Sequence, residues 1–150
     1  GMFISVGFLS NHESILRGKQ FVFSKLFSEI KSIKNNEKDH IYFGDLNIIR
    51  DWGWAPDYVR AMWLMMQRSK PRDFIIGSGK THSLKDFVNE VFEYLDISKK
   101  NLKINVAKYK RKIDLRGYKA NIADTQKKLK WKPRLKFKTI IHKMINNELF

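Results

Sequence analysis

The sequence predicts an α/β fold, with few strands and about five helices, on three observations. Short apolar runs alternate with segments of helical periodicity, which suggests at least some parallel strand pairing. Several helical segments carry their own start signals. The 150 residues are 43% hydrophobic and 13% aromatic, enough to build one core of single-domain size.

Phe3 to Leu9 is an apolar run of strand length and reads as a buried strand. Asn11 to Gln20 is polar and reads as a turn. Phe21, Val22, Leu26, Phe27, Ile30 and Ile33 recur at helical spacing, and Lys34 to Asp39 is a charged loop. Ile41–Phe43 is a short strand ending at Gly44. Arg50 to Trp54 reads as a loop, after which Pro56 and Asp57 open a helix. That helix is apolar almost all round, through Tyr58, Val59, Met62, Trp63, Met65 and Met66, and is expected to be deeply buried. Asp73 to Ile76 is a further strand. Ser83 with Asp86 forms a capping pattern for a helix striped by Leu84, Phe87, Val88, Val91, Phe92 and Leu95. Leu102 to Val106 alternates like a strand. Asp124 to Lys130 is a short helix, and Phe137, Ile140, Ile141, Met144, Ile145 and Leu149 mark a last amphipathic one. The opening strand has no cap before it, and the βα units are few for a doubly wound sheet. The pattern reads as the back end of a larger fold.

The chain has no cysteine, which excludes structural disulfides and thiolate zinc sites and is compatible with a cytoplasmic setting. No apolar run approaches the roughly 20 residues that span a bilayer. Gly1 before Met2 resembles the residue left by a cleaved tag, so the domain is expected to run over 2–150. The net charge is +15, and from Lys99 to Lys138 there are 16 Lys or Arg against Asp114 and Asp124 alone. Such a block invites an anionic partner. It also fits solvated lysines from a composition in which Lys outnumbers Arg 22 to 8.

Four segments are candidates for chemistry. Gly77–Ser78–Gly79–Lys80–Thr81 lies between a strand and a helix, but the P-loop's first glycine position is Phe74, so the segment reads as a tight turn. No GxGxxG occurs, so the dinucleotide fingerprint is missing. Asn11–His12–Glu13–Ser14 follows the first strand, where ligands bind in open α/β sheets; it is either a hydrogen-bonding rim or turn chemistry. A His–Glu pair is too few ligands for zinc. Arg50–Asp51–Trp52 is either an ion pair packed on indole or a guanidinium presented to phosphate. Lys108, Lys110, Arg111, Lys112 and Asp114 suit a diphosphate and ribose, or a solvated loop.

These segments come in the order and near the spacing of one family. FLSNHES followed by Arg17–Gly18, Phe21–Val22 and Lys25 is similar to FNHESPRRGETFVTRK of the GDP-mannose 4,6-dehydratases, which are extended short-chain dehydrogenase/reductases. IYFGDLNIIRDWGWAPDYVRAMWLMMQ resembles their LYLGN…RDWGHAKDYVxAMWLMLQ. DFIIGSGKTHSLKDFV resembles DYVIATGETHSVREFV, and KYKRKIDLRGYKANIADTQKKLKWKP is similar to RYFRPAEV…GDPSKAxxxLGWKP. The resemblance covers essentially the whole chain and implies a partial Rossmann-type fold, the carboxy-terminal nucleotide-sugar-binding region of that family.

The resemblance also implies roles. Asn11 would contact the diphosphate, Val22 and Lys25 would hold the nucleotide, and Gly44 would lie against guanine. Arg50 and Arg111 would bind phosphate, and Asp114, where the family has Glu, would bind ribose. Arg17 lies in the loop that reaches a neighbour's cofactor in family tetramers. Departures fall on these positions: Ile15–Leu16–Arg17–Gly18–Lys19 stands for Pro-Arg-Arg-Gly-Glu, Trp54 for His, Asp45 for Asn and Lys112 for Pro.

Full-length members convert GDP-mannose to the 4-keto-6-deoxy sugar with bound NADP. The resemblance places their cofactor glycines, catalytic Thr and Glu, and Tyr-xxx-Lys pair upstream of Met2. No catalytic residue is therefore expected here, no NADP is expected on this chain, and no turnover by it alone. The expected ligand is a GDP-sugar, and the expected partner a second copy or an amino-terminal half, because strand edges left open invite association. Two other functions compete: a non-catalytic relict or interaction module, and a nucleic-acid binder using 99–138. In the latter block the aromatics Tyr109, Tyr118, Trp131 and Phe137 are sparse for base stacking.

Overall fold

The computed structural model describes residues 1–98, 100, 102–104 and 117–149. In chain order the elements are β1 (Gly7–Leu9), β2 (Asn11–Glu13), α1 (Val22–Lys34), β3 (Ile41–Phe43), β4 (Ile49–Arg50), β5 (Trp52–Trp54), α2 (Ala55–Met66), β6 (Phe74–Ile76), β7 (His82–Ser83), α3 (Leu84–Tyr94), β8 (Leu102–Ile104), α4 (Ala123–Leu129) and α5 (Phe137–Ile145). The strands associate in pairs. β1 with β6, β2 with β5 and β3 with β8 are parallel, and β4 with β7 is antiparallel. The α/β class and the five helices agree with the sequence reading.

Two apolar cores follow from this layout. The first joins α1, α3 and α5 with Trp52 and Trp54 of β5 and Ile41 of β3. The buried stripe of α1 is Phe23, Leu26, Ile30 and Ile33. Leu26, Ile30 and Ile33 agree with the sequence reading, which began the stripe at Phe21 and Val22 and left out Phe23. Phe21 is the N-cap, and Phe23 stacks on Phe87, ring centroids 3.6 Å apart. The second core packs Tyr58, Ala61 and Met65 of α2 on Phe74 and Ile76 of β6, with Leu129 and Trp131 behind them.

Three further expectations are corrected. Asn11–Glu13 is a strand rather than a turn, and Arg50–Trp54 is not a loop: Arg50 ends β4 and Trp52–Trp54 form β5. Both strands are too short for alternation to show, and they exist because Asn11, His12 and Glu13 pair with Trp52, Gly53 and Trp54. The opening strand is also shorter than the apolar run. The helix expected to be buried all round is not: Val59 and Trp63 are each 62% exposed and Met66 is 56% exposed. Only the Tyr58–Ala61–Met65 stripe faces the core. Helix α3 begins as expected, with Ser83 Oγ accepting from Asp86 N–H at 3.0 Å and the Asp86 carboxylate accepting from Ser83 N–H at 2.8 Å.

Candidate functional site

The carboxyl ends of β1 and β6 and the amino end of β2 meet at a polar cluster. Ser10 follows β1 and donates its N–H to Ile76 O at 2.8 Å. Gly77 ends the neighbouring strand, and a Cβ there would lie 2.6 Å from Ala120 Cβ and 2.7 Å from Ser10 Oγ. Only glycine lets the three segments close at this point. An open cleft of about 810 Å³ runs from here over the outer face of β1 and β6, lined in part by Ser10, Phe8, Ile75, Tyr118 and Asn121. Its size suits a small-molecule ligand.

Asp51 organises the cluster. It is fully buried, and its carboxylate accepts from Ser78 N–H at 2.7 Å, Gly79 N–H at 2.9 Å and Ala120 N–H at 3.2 Å. A buried carboxylate is tolerable only with such donors. Asp57, six residues on, does the same for another turn, accepting from Arg134 N–H at 2.8 Å, while Trp131 Nε1 donates to its carbonyl at 3.0 Å. The two aspartates of the Arg50–Tyr58 segment are therefore structural clamps. The geometry also answers the Gly77–Ser78–Gly79 question: two of the turn's amides already bind an internal anion, so the turn does not fit a dinucleotide's phosphates.

Asn11 lies at the rim. Its Oδ1 accepts from Tyr118 O–H at 2.7 Å, and its carbonyl accepts from Tyr58 O–H at 3.3 Å. Burial, then the nearby Asp51 carboxylate, push the Tyr58 phenol far above its usual value, so it stays a donor. His12 Nδ1 donates to Ser10 O at 2.9 Å and its ring packs 5.2 Å from that of Tyr58. Ser14, by contrast, makes a turn, accepting at Oγ from Leu16 N–H.

Glu13 is 2% exposed, and burial raises its carboxyl to about 7 against the opposing pull of Arg17. Arg17 Nε stands 3.5 Å from Glu13 Oε2, and neither atom completes a hydrogen bond. The Arg17 guanidinium lies 3.6 Å over the Phe21 ring. The side chain is folded against its own chain.

Arg50 Nη1 donates to Ile49 O at 2.7 Å, and Asn11 pairs with Trp52 two residues further on. Gly44 follows β3, whose Phe43 pairs with Ile104. Arg111 and Asp114, with Lys108, Lys110 and Lys112, lie outside the described residues. Of the described residues, Ile104 pairs with Phe43, and a Cβ at Gly117 would lie 3.0 Å from Ile49 Cβ. The next residue, Tyr118, holds Asn11. Lys25 and Val22 stand in the first turn of α1, Lys25 exposed and Val22 packed on the first core. The Tyr118–Asn11 contact was missed in the sequence, where 107 residues separate the partners and nothing local signals them.

Elsewhere in the basic block, Lys128 pairs with Asp124 at 3.2 Å and Lys138 with Glu90 at 2.7 Å. These are surface contacts of the kind that solvated lysines make. Among the described residues no three His, Asp or Glu side chains group as a metal site, and no helix is long and apolar enough to cross a membrane.

A family model described as GDP-mannose 4,6 dehydratase matches residues 1–144. GDP-mannose 4,6 dehydratase 1 of Arabidopsis thaliana is 32% identical over 99% of this chain and 41% of its own length. The Homo sapiens GDP-mannose 4,6 dehydratase is 32% identical over 99% of the chain and 44% of its own length. The chain thus spans about two-fifths of the curated relatives it matches. Among solved structures, RMD from Pseudomonas aeruginosa, complexed with NADPH, superposes with a TM-score of 0.83 over 97% of this chain and 47% of its own, at 16% identity. A dTDP-glucose 4,6-dehydratase from Bacillus anthracis, in complex with NAD, gives 0.79 over 95% and 43%, at 17% identity. These two likenesses establish the fold, which the chain covers in part.

Proposed function

The chain belongs to the GDP-mannose 4,6 dehydratase family, and we propose that it is that family's nucleotide-sugar-binding region, taking a GDP-sugar such as GDP-mannose. The observation that supports this most is the hydrogen bond between Tyr118 and Asn11. Tyr118 O–H donates to Asn11 Oδ1, and a Cβ at the preceding Gly117 would lie 3.0 Å from Ile49 Cβ, next to Arg50. Arg50 and Asn11, two positions to which the resemblance gives nucleotide roles, thus both lie by Gly117–Tyr118. Lys25 at the start of α1 supplies a point charge for phosphate, and Arg111 and Asp114 are assigned to a second phosphate contact and the ribose.

Catalysis is a different matter. NADP, when bound in the full-length enzyme, accepts and returns the hydride. The Gly77–Gly79 turn here does not fit it, and Asp51, with three backbone donors on its carboxylate, is not a free base. The reading is therefore of binding without turnover by this polypeptide alone, in the cytoplasm, with a second copy or an amino-terminal half as partner. The cofactor role of Arg17 requires its side chain to leave Glu13 and Phe21.

Calorimetry with GDP, GDP-mannose and a short DNA duplex tests this. GDP-selective binding is the expected result. Absence of nucleotide binding would leave the interaction-module reading, and salt-steep DNA binding without GDP binding would favour the nucleic-acid reading.

A further inference from the structure

Asn11 is held twice, by tyrosines from two distant parts of the chain. Tyr58 of α2 donates its O–H to the Asn11 carbonyl at 3.3 Å, and Tyr118 donates to Asn11 Oδ1 at 2.7 Å. The first contact depends on Gly53. A Cβ there would lie 2.5 Å from the Tyr58 hydroxyl oxygen, so only a bare backbone lets the ring lie across β5. Tyr58 is buried and stays protonated, through burial first and then through Asp51 and Tyr118 nearby. It supports the backbone of Asn11, whose register the pairing of β2 with β5 already sets.

The Tyr118 bond acts on the side chain instead. An asparagine amide accepts at one end and donates at the other, and a half-turn of its last torsion exchanges the two. A phenol that donates to Oδ1 leaves the Nδ2 end facing away from it. Nδ2 donates to no described residue and is not sealed from solvent. We infer that Tyr118 is a positioning residue: by occupying Oδ1 it fixes the Asn11 amide with its N–H donors free for a ligand group that can only accept, the diphosphate of a nucleotide sugar. This rests on the nucleotide-sugar reading above.

The chemistry of the ligand group decides what the tyrosine is worth. A sugar hydroxyl both donates and accepts. It would meet either end of the amide and gain nothing from Tyr118. A phosphate oxygen meets only the N–H end, and a reversed amide sets acceptor against acceptor. Apparent affinity falls with the fraction of the competent orientation, so an amide free to reverse loses roughly two- to fourfold. That is less than the loss from removing the Asn11 amide altogether.

The test is a double-mutant cycle on the full chain, with GDP-mannose affinity read by calorimetry. Tyr118→Phe keeps an exposed ring, and circular dichroism checks that each variant stays folded. The substitution is expected to weaken binding roughly threefold in the parent and to add nothing in the Asn11→Ala background. Asn11→Asp, an acceptor at both ends, is expected to bind worse than Asn11→Ala. In spectra of the isotope-labelled chain without ligand, Tyr118→Phe should move or broaden the side-chain amide signal of Asn11. Equal loss in both backgrounds makes Tyr118 a structural residue and overturns the proposal. So does unchanged affinity in Tyr118→Phe, or parent-like binding by Asn11→Asp, since the group met there would then be a donor. A parent that binds no GDP-mannose sinks the nucleotide-sugar reading and this ligand with it. A parent that binds, with an Asn11 signal indifferent to Tyr118→Phe, sinks the present proposal alone.

Discussion

The Asp51 carboxylate lies 2.9 Å from the backbone nitrogen of Gly79, 28 residues away, and the same side chain also holds Ser78 and Ala120. One buried anion thus fixes the start of β5, the turn after β6 and the chain at Ala120. Replacing it with alanine strands three donors in a buried site. Asp51→Ala is expected to lose about 3 kcal/mol or more, read as the denaturation midpoint in urea at constant slope. Asp51→Asn, which keeps one acceptor, should lose less.

Glu13 gives a pH dependence. Its folded-state value of about 7 stands above the ordinary 4.5, so between those values the folded chain keeps a proton that the unfolded chain releases. Its contribution is full below about 4.5 and is lost as pH rises through 7. The difference corresponds to about 3 kcal/mol. Glu13→Gln should remove this slope, so that the variant gains on the parent from pH 5 to pH 8 in matched unfolding curves. Parallel curves would show that the carboxyl titrates normally.

Gly77 is where three segments meet, with Ala120, Ser10 and Asp51 around its α-carbon. Gly77→Ala is expected to cost about 1–3 kcal/mol by overpacking and to lower the thermal midpoint. Gly1→Ala, with nothing near it, should leave the midpoint unchanged.

Nucleotide binding should depend on the rim. Asn11→Ala and Lys25→Ala are each expected to weaken GDP-mannose binding by on the order of tenfold, about 1.4 kcal/mol. Lys70→Ala, exposed and outside this rim, should not. Tyr118→Phe frees the Asn11 amide and should weaken binding less than removing Asn11. Equal loss from Lys70→Ala would point to bulk charge instead.

The sequence by itself determined the α/β class, the helices and the start of α3, because periodicity and caps are local: Ser83 and Asp86 find each other within one turn. It also carried the family, through the long match around Arg50–Asp51–Trp52. It did not determine β2 and β5, whose three-residue spans become strands only by pairing with each other. Nor did it reveal which side of α2 faces the core, since Met65 and Met66 are equally apolar and only the position of β1 and β6 separates them. The part played by Asp51 was open for the same reason: Arg50 stands next to it in the chain, yet the Ser78, Gly79 and Ala120 amides that donate to its carboxylate are 27, 28 and 69 residues away. Hydrogen bonds across such separations are fixed by packing, and packing is a property of the folded chain.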